Sequence, residues 1–130
     1  MPTSFTVMVT KSPFDSRNVE NAITFCRAAI NSGHKINQVF FYQAGVQCAS
    51  SLLEPNSDEI NTRQAWLELH NKHGINLNVC TTAGSRRGVV AIDSSPSTKT
   101  FSPNIEAPFT AVGLSAYFEA LADGGVNIQL

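Results

Sequence analysis

The sequence predicts an α/β fold: a three-layer sandwich whose mostly parallel sheet of about five strands is flanked by helices. Three observations carry that expectation. Short β-rich runs alternate with longer stretches whose apolar residues recur at helical spacing. The run Val39-Phe40-Phe41-Tyr42 is apolar on successive residues, as a central strand covered on both faces must be. Glycines stand where the helical stretches stop, at Gly33, Gly74 and Gly124-Gly125.

Phe5 to Thr10 is short and β-rich, a first strand ended by Lys11-Ser12-Pro13, because a proline cannot donate to the ladder. Asp15 or Ser16 is placed to cap a helix whose buried stripe is Val19, Ala22, Ile23, Cys26, Ala29 and Ile30. Ile36 to Tyr42 is the second strand. Gly45 to Leu53 is a short connection with helical character, broken by Glu54-Pro55-Asn56-Ser57. Asn56 or Ser57 is expected to cap the next helix, with Asp58 and Glu59 at its positive end and Ile60, Trp66, Leu67 and Leu69 on its buried side. Ile75 to Cys80 alternates apolar and polar residues and reads as the third strand. Residues 81–88 form a turn into a short helix, and Val89 to Ile92 a brief strand. Ser94 to Pro108, rich in Ser, Thr and Pro, has the least ordered composition. Phe109 to Ala122 carries Val112, Leu114, Tyr117, Phe118 and Leu121 at helical spacing, and Val126 to Leu130 closes the sheet.

A chain of 130 residues is one domain's worth, so residues 1–130 are expected to form a single unit with a core of its own. It is 42% hydrophobic and 15% charged. That low charge points to surface covered by another subunit. A formal net charge of −1 lacks the basic footprint of a nucleic-acid binder, so direct contact with DNA or RNA is not expected. No apolar run approaches the ~20 residues that span a bilayer. Met1-Pro2-Thr3-Ser4 opens no secretory signal, so the expected compartment is the cytoplasm, with Cys26, Cys48 and Cys80 as reduced thiols.

The cysteines carry the chemistry. Cys80 falls at the carboxyl end of the third strand, where open α/β sheets gather their reactive groups. The segment after it begins a helix, so the sulfur faces free backbone N–H groups, and Arg86 and Arg87 add positive potential a turn or two further on. These features favour thiolate over thiol, and the thiolate is the nucleophile. A buried strand-end cysteine that only packs is the competing reading. Cys26 lies on the apolar stripe of its helix and reads as core. Cys48 sits in the connection after the second strand, where it is open to exposure, and ranks second as a sulfur carrier. His70 and His73 are three apart on one helix but have no third ligand in sight, and His34 after Gly33 reads as a turn residue. No Cys-x-x-Cys pair, no Gly-x-x-x-x-Gly-Lys loop and no Ser-His-Asp set is present, so no cofactor or metal is expected.

A series of short motifs adds a resemblance. Phe40-Phe41-Tyr42-x-x-Gly45-Val46, Asp58-Glu59, Ala65-Trp66-x-x-Leu69, His73-Gly74-x-x-Leu77-Asn78-x-Cys80 and Arg86-Arg87-Gly88-Val89-Val90 follow one another in order. Together they resemble the DsrE/TusD family, nearest its TusD branch, which serves the sulfur relay of tRNA thiolation. The likeness runs from Phe5 to about Val90 and resumes near Phe109. It implies a DsrE-like parallel α/β fold. It also implies a sulfurtransferase whose functional cysteine aligns with Cys80, taking sulfane sulfur as a persulfide from a TusA-like donor and passing it to a TusE-like acceptor. TusB- and TusC-like subunits would complete a heterohexamer with two copies of each, and the sulfur would finally reach a tRNA wobble uridine. A DsrE-like role in sulfur oxidation, or a non-catalytic structural role in such a complex, stands as the alternative. The chain departs from the family in one place near the site. Relatives carry small apolar residues after the cysteine, whereas Thr81, Thr82, Gly84 and Ser85 stand here, and Gly84 is expected to weaken a helix by ~1 kcal/mol relative to Ala.

Overall fold

The computed structural model describes residues 2–91, 103–123 and 125–130. Five strands, β1 (Ser4–Val9), β2 (Lys35–Phe41), β3 (Asn76–Cys80), β4 (Phe109–Val112) and β5 (Val126–Gln129), form one sheet in the order β4-β3-β2-β1-β5. Every pairing is parallel. Parallel neighbours need a crossover, and helices supply most of the connections: α1 (Asn18–Asn31), α2 (Thr62–His73), α3 (Thr81–Arg86) and α4 (Leu114–Ala122). A 3-10 helix, Gln43–Ala49, follows β2 directly.

The two faces of the sheet differ because side chains alternate along each strand. Val7, Val9, Val39, Phe41, Leu77 and Val79, all buried, turn toward α1 and α2. There Trp66 of α2 is completely buried and meets Phe41 edge-on, ring centres 5.3 Å apart. Val19, Ala22, Ile23, Cys26 and Ala29 are the buried stripe of α1, as the periodicity predicts. The opposite face holds Gln38, Phe40 and Asn78 and is covered by α4. Tyr117 packs on Phe40 at 5.0 Å, while Asn78 Nδ2 donates to Gln38 Oε1 at 2.8 Å and Gln38 Nε2 donates to the Tyr117 carbonyl at 3.4 Å. A buried amide must find partners, and this chain of contacts provides them. The connection from β4 to β5 runs from one edge of the sheet to the other, which puts α4 on the face that α1 and α2 leave open.

Four local expectations are corrected. Asn61, not Asn56 or Ser57, caps α2: its Oδ1 accepts the Gln64 N–H at 3.1 Å. Asn56 to Glu59 closes its own turn, in which Glu59 Oε1 accepts the Asn56 N–H at 2.6 Å, so the acidic pair precedes the helix and Ile60 stays exposed. Phe109 to Ala122 is not one helix but strand β4, a break at Gly113, and α4. Its first four residues are rich in β-formers and pair with β3, and that tertiary pairing overrides the apolar spacing. Val89 to Ala91 form no strand; the remainder of that expectation, Ile92, lies outside the described residues, as does most of the Ser94 to Pro108 stretch.

Asn104, in the described tail of that stretch, is buried and holds the loop after α3. Its Oδ1 accepts the Val90 N–H at 2.7 Å, and its Nδ2 reaches the Gly88 carbonyl at 2.9 Å and Ser50 Oγ at 3.3 Å. Its backbone N–H and carbonyl bond Val90 and Ser51, both at 2.9 Å. Replacing it by alanine strands several buried polar groups at once, so Asn104→Ala is expected to cost about 2 kcal/mol. A urea titration showing a lower midpoint with an unchanged slope is the check; an unmoved midpoint refutes the clamp.

Candidate functional site

Cys80 is the last residue of β3 and the first flanking residue of α3. The chain turns there because Thr81 Oγ1 donates to the Val112 carbonyl on neighbouring β4 at 3.0 Å, holding the start of α3 against the carboxyl edge of the sheet. The thiol is only 3% exposed, but it is not sealed in the core. It lines a pocket of about 380 Å³ together with Tyr42, Gln43, Thr82, Ala83, Arg86, Arg87 and Leu114. Arg86 and Arg87 are exposed, and among the described residues no carboxylate shares the lining. Arg87 is oriented by donating from its guanidinium to the Ala83 carbonyl at 3.2 Å. The structure therefore brings the three residues singled out by sequence, Cys80, Arg86 and Arg87, around one opening. The result is an enclosed sulfur atom beneath a rim of positive charge.

Gly84 now has a reason. A Cβ at that position would lie 2.4 Å from the Val89 carbonyl oxygen, while Gly84's own carbonyl accepts the N–H groups of Arg87 and Val89. The glycine lets the returning chain close over α3. Its cost to helix propensity is secondary to that close approach.

Three residues of the pocket carry no site signal in the sequence. Tyr42 and Gln43 come from the turn after β2, and Leu114 from the first residue of α4. Apolar spacing assigns Leu114 to a buried helical stripe, which the break at Gly113 undoes. Gln43 has nothing to mark it except its position at a strand's carboxyl end.

The other thiols lie elsewhere. Cys48 is completely buried, not exposed as its place in a connection suggests, because the 3-10 helix packs against β2, β3 and the helices α2 and α3. Burial pushes its thiol up, against a smaller lowering by a backbone hydrogen bond. Burial alone pushes the Cys26 thiol from an ordinary 9.0 up to about 12. Thiols raised in the folded state stabilise it fully only below the value they have when unfolded. Above about pH 9 the unfolded chain ionises first, and stability falls with rising pH until the native thiols ionise as well. The expected result is a urea midpoint that drops above about pH 9, with a shallower drop in a Cys26→Ala/Cys48→Ala variant. Parallel slopes in the two proteins would refute this.

Two of the three histidines are held by hydrogen bonds. His70 Nδ1 hydrogen bonds the Ile75 carbonyl at 2.8 Å, and His34 Nδ1 accepts the Thr3 N–H at 3.0 Å. Among the described residues, no group of three His, Cys, Asp or Glu side chains is placed to hold a metal ion. A larger hollow of about 700 Å³ opens at the amino ends of the strands, lined by residues such as His34, Lys35, His73 and Asp123. It contains no thiol, whereas the smaller pocket holds Cys80. Among the described residues, no helix is long and apolar enough to cross a membrane.

Residues 3–130 match the DsrE/DsrF-like family. The chain belongs to that family. It is 36% identical over 116 residues to sulfurtransferase TusD of Salmonella dublin, a match that covers 89% of this chain and 91% of the relative. TusD of Salmonella paratyphi A matches with the same identity and coverage. The fold is that of the crystal structure of the YchN protein from E. coli, with a TM-score of 0.74 over the whole of both chains at 16% identity. The DsrE-like sheet expected from the motifs is thus the one observed, and the named relatives support a transferase.

Proposed function

We propose that this DsrE-family chain is a sulfur-relay sulfurtransferase that carries sulfane sulfur as a persulfide on Cys80. The observation that carries the reading is the position of Cys80, at the carboxyl end of β3 in a pocket whose rim holds Arg86 and Arg87. In the transfer step the Cys80 thiolate attacks the outer sulfur of a carrier's persulfide. A bond forms between Sγ and that sulfur, the carrier's S–S bond breaks, and its electron pair leaves with the carrier's thiolate. No oxidant, metal or general base is consumed. The two guanidinium groups supply charge where anionic sulfur arrives and leaves. In the second half the roles reverse, and an acceptor thiolate takes the outer sulfur from Cys80.

The donor in this proposal is a TusA-like carrier and the acceptor a TusE-like protein. The chain works beside TusB- and TusC-like subunits in the cytoplasm, and the sulfur ends on a tRNA wobble uridine that this chain does not touch. A net charge of −1 supports delivery through proteins rather than direct tRNA contact.

The low exposure of Cys80 favours one second reading, a structural subunit with an unreactive thiol. Mass spectrometry separates the two. The intact protein is incubated with a cysteine desulfurase, a TusA-like carrier and cysteine. A gain of one sulfur mapped to Cys80 is expected, and an unmodified Cys80 leaves the structural role.

A further inference from the structure

Resting on the persulfide reading of Cys80, we infer that Gln43 is a specificity residue, whose side-chain amide grips the peptide backbone of the incoming sulfur carrier at the mouth of the pocket. Among the described residues Gln43 is the only one other than glycine with a positive φ, at 51°. L-residues disfavour that left-handed region, and glycine or asparagine is its usual occupant. The turn cannot relax out of it. On one side the Tyr42 N–H donates to the Val9 carbonyl at 2.9 Å, and on the other Gly45 is pressed so closely on β1 that a Cβ would lie 2.0 Å from the same oxygen. A residue held in a disfavoured conformation at the lip of a reactive pocket directs attention to its side chain.

That side chain is exposed and lines the Cys80 pocket, while the thiol itself is almost wholly enclosed. The two therefore occupy different depths. The amide stands at the mouth, where the carrier's polypeptide must rest while its sulfur reaches inward. A carboxamide offers both a donor and an acceptor, the complement of a peptide unit, whereas Arg86 and Arg87 offer donors alone. Gln43 thus recognises the chain that bears the sulfur, and the arginines attend to the charge on the sulfur. The attack is the one described above: the Sγ–S bond forms, the carrier's S–S bond breaks, and the carrier leaves as its thiolate.

The test uses the full chain and two sulfur sources, a persulfidated TusA-like protein and inorganic polysulfide, which has no backbone to grip. Gln43→Gly removes the amide and suits the left-handed backbone. Gln43→Ala removes the amide and keeps the conformational penalty. Both are expected to lose at least about tenfold in kcat/KM with the protein donor, through KM, and to load from polysulfide at the parent rate. Thermal midpoints are expected to separate the two variants, with Gln43→Gly melting above Gln43→Ala, which bears the parent's own backbone penalty and stays near the parent. Unchanged transfer from the protein donor overturns the inference, as does an equal loss with polysulfide or a loss that follows the melting temperature. If the parent protein never gains sulfur on Cys80 from either source, it is the persulfide reading that fails.

Discussion

Replacing Cys80 by serine is expected to abolish sulfur transfer while leaving the fold nearly as stable as before. The oxygen of serine cannot hold a sulfane sulfur, and no other described thiol can substitute. Cys26 and Cys48 lie in the core, and burial raises both of their thiols away from ionisation. Transfer should therefore fall by at least about a thousandfold, as when a covalent nucleophile is deleted. The structural cost is that of placing a hydroxyl where a thiol sat, about 1 kcal/mol, or roughly 3–5 °C in melting temperature. Cys48→Ser should show the opposite pattern: it puts the hydroxyl in a completely buried site, so stability falls and transfer per folded molecule persists. Transfer of labelled sulfur and a thermal melt on the same two variants give the crossed result. Parent-level transfer by the Cys80 variant would remove the sulfur from this residue altogether.

How much of this was legible in the sequence follows from which interactions are local. The first three strands, α1 and the position of Cys80 were readable, since each rests on side-chain periodicity and on residues that stop a helix or strand. The pairing of Phe109–Val112 with β3 was not, because the run's apolar spacing fits a helix as well as a strand and only the neighbouring strand decides between them. Cys80, Arg86 and Arg87 were found because they sit within one short segment. Gln43 and Leu114 reach the same pocket from the turn after β2 and the start of α4, and no spacing rule connects those positions. Asn104 was hidden for a different reason. It lies in a Ser-, Thr- and Pro-rich stretch whose composition reads as loose, yet its amide is bonded on every side by Gly88, Val90 and Ser50. The exposure of Cys48 was misjudged because a connection was equated with a surface.

Gly45→Ala is expected to be the most damaging single-methyl substitution near the site. A Cβ there would lie 2.0 Å from the Val9 carbonyl oxygen and 2.6 Å from its carbon, both backbone atoms at the carboxyl end of β1. A flexible side chain would swing aside, but a strand backbone paired on both sides by β2 and β5 cannot. Either the 3-10 helix lifts from the sheet or the ends of β1 and β2 part. Overpacking of that kind is expected to cost about 3 kcal/mol or more, roughly a 10 °C fall in melting temperature. Gly33→Ala is the control. Gly33, unlike Gly45, has a positive φ, 86°, but nothing lies within 4 Å of its missing Cβ, so only the backbone penalty of about 1 kcal/mol applies. If the two variants melt together, close approach is not what Gly45 provides. The ordering also bears on function, because the helix that Gly45 anchors begins with Gln43 and follows Tyr42, both part of the pocket. A lifted helix moves that wall away from Cys80 while β3 and α3 stay paired. The folded fraction of Gly45→Ala should therefore transfer sulfur more slowly than the parent, with Cys80 itself untouched.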